Sequence, residues 1–529
     1  MEHNVPCCPV PAARAPNLIY IKVEFSMEAL VLNGSNLTLD ALHQVVYDRR
    51  PVAIDPEALD RAKRARQILF DMAAEGKPVY GLNRGVGWNK DREFDQDFFE
   101  TFNRNLINSH SLGVRPFSTV EEVRAMMCIR LNCALCGCTG ISGEILELYK
   151  EFLNRGIHPR AFRRGAVGEG DVSTLSLIGQ AMIGQGEVEY KGEITSAAEA
   201  LAAEGMKPAI LGPKDGLSIV SSNAQGESIV AVLIFEVQKL LREANAVFAL
   251  SLEGLNGGLE PLGEKVNALR GLPGQIKIAA QCRQFLEGSY LAQPDPKRAL
   301  QDPLSFRCTS AVHGTVQDAL DYVCKFMEIQ MNATDDNPCI ILEDHTTSVS
   351  QNFETATLAL AVEMLGIALG HMSKCICQRT IHLANPGFTG LNRFLTPVDV
   401  KTIAYSTIQK TFAALDAENR LLANPCSMDF MPMSGDIEDH ASNLPLAASK
   451  ALKMVDNLHY MLGIELMHGA QAVDLRGKPE LGKVSGPVFD SLRAEIPYLS
   501  EDRNLSIDIE KAYRFIHDGR LDKAIREAL

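Results

Sequence analysis

The chain has 529 residues, 46% of them hydrophobic and 22% charged, with a single tryptophan, a globular composition long enough for two or three domains or one large helical subunit. Fifty-two basic against sixty-six acidic side chains leave a formal charge of −14, and no Lys/Arg-rich block is there to follow a phosphate backbone, which argues against nucleic acid as a partner. Thirteen cysteines, an odd number with no secretory leader ahead of them, fit a reducing cytosol better than a disulfide framework, so a cytoplasmic location is expected.

Residues 1–26 read as an N-terminal extension, expected to be flexible, because Met27 opens a tidier start, MEALVLNGSNLTLD. Residues 27–215 are expected to form an N-terminal helical domain. Its LVLNG run near residue 30 is a short strand. The segment Val79 to Trp88 then holds Tyr80 followed by three glycines, which lets a sharp bend present a phenol from a loop. A tyrosine is a plausible base only near cations or hydrogen-bond donors, since its reference pKa is about 10; read alone, the segment is a glycine-rich turn. NRNLINSH places His110 at the end of a helix, where a neutral imidazole can meet a polar substrate group or simply serve the structure. EEVRAMMCIRLNCALCGCTG has helical apolar spacing. Its Cys128, Cys133, Cys136 and Cys138 lack a second ligand pair and a nearby histidine, so they read as core residues and no metal is expected. EVEYKGEI near residue 190 is again strand-like.

Residues 216–529 are expected to form a central long-helix bundle and a C-terminal helical region. GESIVAVLIFEVQKLLREANAVFALSLEGL and ETATLALAVEMLGIALGHMSKCI carry apolar residues three and four apart. The apolar stretch from Thr355 to Met372 is broken by Glu363 and followed by Lys374, which predicts a buried helix rather than a membrane span. Strand-like runs are few and short, so the fold class is mainly α with a small peripheral β element. Polar loops rich in Gly, Asn, Asp and Pro punctuate the helices: YGLNRGVGWNK, RRGAVGEGDVS, LAQPDPKRALQDPLSFRC, MNATDDNPC and MPMSGDIEDHAS. Such loops in a helical protein predict a site assembled from several segments.

With NRNLINSHSLG, QNFETATLALA and AENRLLANPCSMDFMPMSGDIEDHAS, these strings stand in an order and spacing that resembles the histidine/phenylalanine ammonia-lyase family, over nearly all of Met27 to Gln471. The resemblance implies the aspartase/histidine ammonia-lyase-like elongated long-helix bundle, a homotetramer, and active sites built from several subunits that eliminate an α-amino group and a β-proton from an amino acid. The family's electrophile, a methylidene-imidazolone (MIO), cyclises from an Ala-Ser-Gly tripeptide. This chain reads Gly165-Ala166-Val167-Gly168-Glu169-Gly170-Asp171 there. Without the serine no hydroxyl is available to leave as water, so the MIO group is expected to be absent and no cofactor is expected. Two further family residues around the electrophile, a tyrosine and an asparagine, correspond to Leu304 and Ser221. Tyr80, His110, Arg307, Asn337, Phe353, Gln409 and Glu438 all stand at matching positions.

A primary ammonium carries N–H protons far more acidic than the β C–H, so a base fit for the carbon first spoils the leaving group. A quaternary ammonium has no N–H and needs no electrophile. That logic points to MIO-free relatives that release trimethylamine from ergothioneine, the betaine of a 2-thio-histidine, giving thiourocanate. On this reading Tyr80 removes the β-proton and Arg307 holds the carboxylate through its planar fork, while His110, Lys410 and Glu438 grip the ring. Asn337, Phe353 and Gln409 complete the binding residues. Trp88 offers an indole face to a methylated ammonium or is a core aromatic. Glu169 sets a carboxylate beside the cationic nitrogen or marks a shortened loop. Lys410 pairs with the ring sulfur or is a helix-surface lysine. The partner expected is a small betaine, with no membrane. The alternatives are an ammonia-lyase or aminomutase for histidine or an aromatic amino acid with unusual activation, and a catalytically silent paralogue.

Overall fold

The computed structural model describes residues 27–93, 99–397 and 401–529; the extension expected at 1–26 lies outside the described residues. Four long helices make the centre: Ala224–Leu255, Thr309–Gln330, Ala356–Leu383 and Leu444–Leu475. The last lies against both Ala224–Leu255 and Ala356–Leu383, which in turn meets Thr309–Gln330. One hydrophobic core runs from Leu30 to Ile525, with a smaller cluster around Ala65, Leu69 and Val79 beneath the Tyr80 loop. Among the described residues the strands form small separate sheets, including the antiparallel pair Glu187–Tyr190 and Glu193–Ser196, which agrees with a peripheral β element. Two helical segments, Asp215–Leu255 and Ala356–Leu383, are long and apolar enough by composition to cross a membrane, but most of each is buried among other helices.

Helix length decides where functional groups can stand. The helix Ala356–Leu383 has 28 residues and, at 1.5 Å per residue, is about 42 Å long. Its N-terminal end begins at Thr355, which the 165–171 loop touches, and its C-terminal end carries His382, bonded to Ser305 (3.1 Å) two residues from Arg307. The helix Gln409–Leu422 runs antiparallel beside it: Ser373 Oγ donates to Asp416 Oδ1 (2.8 Å), and Glu363 Oε1 accepts from Cys426 N (2.6 Å). Gln409 and Lys410 therefore lie toward the Leu383 end, the end of Arg307.

Two of the long helices are joined by a buried ion pair. Arg379 donates Nε and Nη2 to the two oxygens of Glu465 (2.6 and 2.9 Å), both side chains fully buried. Removing one partner strands a charge away from water. Glu465→Leu is expected to destabilise the protein by roughly 3–5 kcal/mol, whereas Arg379→Met combined with Glu465→Leu costs much less. Chemical unfolding of both variants checks this; equal losses would contradict it.

Candidate active site

The 165–171 loop is clamped from three sides. Gly168 sits in the left-handed region (φ 81°), and a Cβ there would lie 2.5 Å from Ser442 Oγ and 2.9 Å from Leu444 N, so only glycine fits. Its carbonyl is approached by the Ser442 and Thr355 hydroxyls (3.0 and 3.3 Å), which also bond each other (2.7 Å). The Gly170 N–H donates to Asn223 Oδ1 (2.9 Å). Asp171 Oδ2 accepts from Gly226 N (2.7 Å) at the start of the Ala224–Leu255 helix; burial pushes its pKa up to about 7, and the backbone N–H groups there oppose the rise.

Behind the loop stands a buried charge network. Arg130 donates to Asp335 Oδ1 (3.0 Å) and Asp336 Oδ2 (3.2 Å). Asp335 Oδ2 accepts from Asn223 N (3.0 Å) and the Ser222 hydroxyl, and buried Lys214 lies 3.6 Å from Asp336. The 335–337 turn is thereby tied through Asn223 to Gly170. Asn337 belongs to this turn, its Oδ1 accepting from Ser350 N (3.0 Å). Cys133, Glu227 and Asp335 bring possible ligand atoms within 4.8 Å of one another, but Asp335 already spends both oxygens on Arg130, Ser222 and Asn223, and the guanidinium stands where a cation would be repelled. Of the other cysteines in that string, Cys128 is buried and Cys136 and Cys138 are half-buried.

Tyr80 stands in a turn of its own, bridged to Arg84. Its hydroxyl accepts from Gly87 N (2.6 Å). Burial pushes its pKa up, the Gly87 hydrogen bond opposes this, and the Glu438 charge adds to the rise. Glu438 is set by a tight turn: Met433 and Glu438 exchange backbone hydrogen bonds (2.8 and 3.3 Å), and Ser434 Oγ donates to Glu438 Oε2 (2.7 Å). Glu169 is half-buried, and its pKa is pushed up to about 7, first by burial, then by the charges of Glu438, Glu354 and Asp439. Three carboxylates thus gather around Glu169, and one of them, Glu438, also bears on the phenol. His440 pairs with Glu354 (2.5 Å). Trp88 also belongs here, with its indole over Gly435.

Each sequence-derived residue can now be placed. Tyr80, Trp88, Glu169 and Glu438 are brought together, and Phe353 directly precedes Glu354 and Thr355. His110 ends the helix Phe99–His110, with Nδ1 against Leu106 O (2.8 Å); a carbonyl can only accept, so Nδ1 donates here and leaves Nε2 for another partner. Three residues on, Gly113 Cα lies 2.9 Å from a Cβ built on Gly165, so His110 stands on the same side. Arg307, Gln409 and Lys410 do not join them within one chain. Arg307 instead donates to Gln301 Oε1 (2.6 Å). Sequence reasoning missed Glu354, Asp439 and Asn223. Glu354 and Asp439 adjoin residues already singled out, and the acidic string DIEDH was the available signal. Asn223 was obscured by attention to Ser221, two residues earlier, which caps a helix while Asn223 meets the loop.

The long helices thus carry a tyrosine and a carboxylate cluster at one end of the chain and an arginine and a lysine at the other, and the comparisons with known proteins make such a chain a carbon–nitrogen lyase. A family model for aromatic amino acid lyases matches residues 37–494. The histidine ammonia-lyases of Halalkalibacterium halodurans and Anaeromyxobacter dehalogenans are 32% and 34% identical, the alignments covering 93% and 94% of this chain and 96% and 100% of those enzymes. The ergothionase of Treponema denticola, solved in complex with desmethyl-ergothioneine sulfonic acid, is 58% identical with a TM-score of 0.92, over 93% of this chain and 99% of that one. The chain belongs to the aromatic amino acid lyase family.

The residues at the loop do not fit the family's MIO group: Gly168-Glu169-Gly170 contains no serine or alanine, and both glycines are held by hydrogen bonds to their backbone. Gly168→Ala forces the loop off Ser442 and Leu444 and displaces Glu169. Turnover is expected to fall roughly tenfold or more while the bundle stays folded. Kinetics alongside circular dichroism check this; wild-type turnover would contradict it.

Proposed function

We propose that this chain eliminates trimethylamine from the betaine of an imidazole amino acid, ergothioneine giving thiourocanate, and does so without MIO. The observation that carries the reading is Glu169: where the family builds an electrophile, this chain presents a carboxylate crowded by Glu354, Glu438 and Asp439. An electrophile captures an amine lone pair, whereas a carboxylate attracts a cation. A quaternary nitrogen has no lone pair and no N–H, and departs as a neutral amine. The 58% identity to an ergothionase, against 32% and 34% for histidine ammonia-lyases, supports the same choice.

Tyr80 is the base. Burial and Glu438 keep its proton in place while no cation is near. A bound quaternary ammonium brings a permanent positive charge into the cluster and favours the phenolate. The phenolate oxygen takes the β-proton, the C–H electron pair becomes the Cα=Cβ bond, and the Cα–N pair leaves with trimethylamine. His110 Nε2 can accept a ring N–H, and Glu438 stands beside the same ring. Asn337 and Phe353 line the side of the 335–355 segment.

Arg307 is the anchor for the substrate carboxylate and Lys410 the partner for the ring sulfur, with Gln409 beside it. These come from another copy, because a helix of about 42 Å separates the two ends of one chain. We place the complete site between subunits of a homotetramer. Leu360, Met364 and Ile367 support this: they are exposed at i, i+4 and i+7 along Ala356–Leu383, an apolar stripe that another copy covers. Leu304, 61% exposed beside Arg307, and Met428 and Met431, exposed near Glu438, are apolar rims of the two halves. A reducing cytosol suits the chain, since every described cysteine is free.

Purified protein incubated with ergothioneine, hercynine and histidine, with trimethylamine and ammonia measured separately, tests the reading. Trimethylamine from a betaine and no ammonia from histidine is expected; ammonia from histidine at a matching rate would replace this reaction with an ammonia-lyase. Tyr80→Phe keeps the ring and loses the base, so kcat is expected to fall roughly a hundredfold or more with substrate still bound.

Acidity supplies an independent check. Glu169 is neutral below about 7 and charged above it. A bound cation favours the charged form, so binding releases a proton near neutrality, and affinity for the betaine rises as pH increases through that range. Glu169→Gln is expected to raise KM and to flatten this rise between roughly pH 6 and 8. A KM for the variant that keeps the wild-type pH dependence would remove Glu169 from the cation site.

A further inference from the structure

Two loops distant in sequence meet at the chain's only tryptophan. Trp88 is 72% exposed, yet one face of its indole is covered. A Cβ built on Gly435 would lie 3.1 Å from both Cδ2 and Cε2 and 3.4 Å from Cε3. Near-equal distances to three ring atoms place Gly435 over the ring rather than at its edge. Gly435 is the middle of three consecutive residues in the left-handed region: Ser434 (φ 51°), Gly435 (φ 66°) and Asp436 (φ 64°). Glycine adopts that conformation freely, but Ser434 and Asp436 do not, so the turn has to be held by its surroundings.

Three contacts hold it. Two lie within the turn: the backbone pair between Met433 and Glu438, and the Ser434 hydroxyl on Glu438 Oε2 (2.7 Å). The third is Trp88. The ring is mounted on the turn Gly87–Asn89, whose first N–H also fixes the Tyr80 hydroxyl (2.6 Å), and a Cβ at Gly87 would stand 3.9 Å from Glu438 Oε1. Base, ring and carboxylate therefore share one small assembly, and the indole joins the two loops.

We propose that Trp88 is a positioning residue: by lying over the left-handed turn at Gly435 it latches the Glu438 loop to the Tyr80 loop and acts on substrate through Glu438. The proposal rests on the reading of this cluster as the substrate site. It differs from direct capture of the methylated ammonium by the indole, which needs the ring and the carboxylate to contribute separately.

A double-mutant cycle on the full-length protein separates the two, with ergothioneine as substrate and thermal unfolding as the control for folding. Trp88→Ala is expected to lower kcat/KM by about tenfold or more, chiefly through KM, and Trp88→Phe to recover most of the loss. In a Glu438→Gln background the same Trp88→Ala change is expected to cost less than about twofold, because the carboxylate it positions is gone. Losses that multiply in the double variant, or wild-type kinetics for Trp88→Ala, would overturn the latch. Should the wild-type protein leave ergothioneine untouched, the assignment of the reaction falls and fluorescence decides the latch alone. Gly435→Ala, which drives a Cβ into the ring, is expected to shift the emission of the sole tryptophan, and unchanged emission would refute the contact.

Discussion

The length of one helix governs this protein's chemistry. The 165–171 loop meets Ala356–Leu383 at Thr355, just ahead of its first turn, and Arg307 stands near its last. No side-chain motion spans about 42 Å of helix. On the proposed reading each chain carries two half-sites at opposite ends of this helix, which the buried Arg379–Glu465 pair ties to its neighbour. In the proposed homotetramer a second copy laid alongside would bring unlike halves together and cover the apolar stripe on the same helix.

At the phenol end, the second constraint is proton acidity. Any base able to take a proton from carbon takes one from a primary ammonium first, so an unactivated amine is a dead end. The loop Gly168-Glu169-Gly170 is held by Ser442, Thr355 and Asn223 in a conformation that only glycine permits at 168. What it presents is negative charge. Surrounded by Glu354, Glu438 and Asp439, Glu169 is costly to ionise until a cation arrives, which on the proposed reading selects a substrate that carries permanent positive charge. On that reading the same charge eases ionisation of Tyr80, and the substrate helps to activate its own base.

Much of this was legible in the sequence because it is local. Helical apolar spacing reported the long helices, and the residues that differ from the family at 165–171 pointed to the proposed change in chemistry without any coordinates. Tyr80, Glu169 and Glu438 were found as motif positions, and their convergence was expected only through the resemblance. What the sequence could not carry depends on contacts between distant segments. The pressure of Glu354 and Asp439 on Glu169 arises only once the 354–355 and 438–443 segments close over Gly168. Trp88 offered two readings, an ammonium partner or a core aromatic; it is neither buried in the core nor free on both faces, because a strained glycine turn from the other end of the chain lies against it. The family resemblance implied a site shared between subunits, but which groups stand at which end of the chain follows from helix direction, which no motif records.

Subunit complementation tests the composite site most directly. Tyr80→Phe and Arg307→Ala chains, each expected to be nearly inactive alone, are co-expressed with separate tags, and assemblies carrying both tags are isolated and assayed for trimethylamine release from ergothioneine. If phenol and guanidinium come from different copies, random mixing leaves about a quarter of the sites with both groups intact, and activity returns to roughly that fraction of wild type. If the hybrids stay as inactive as their parents, both groups serve from a single chain and the account is wrong.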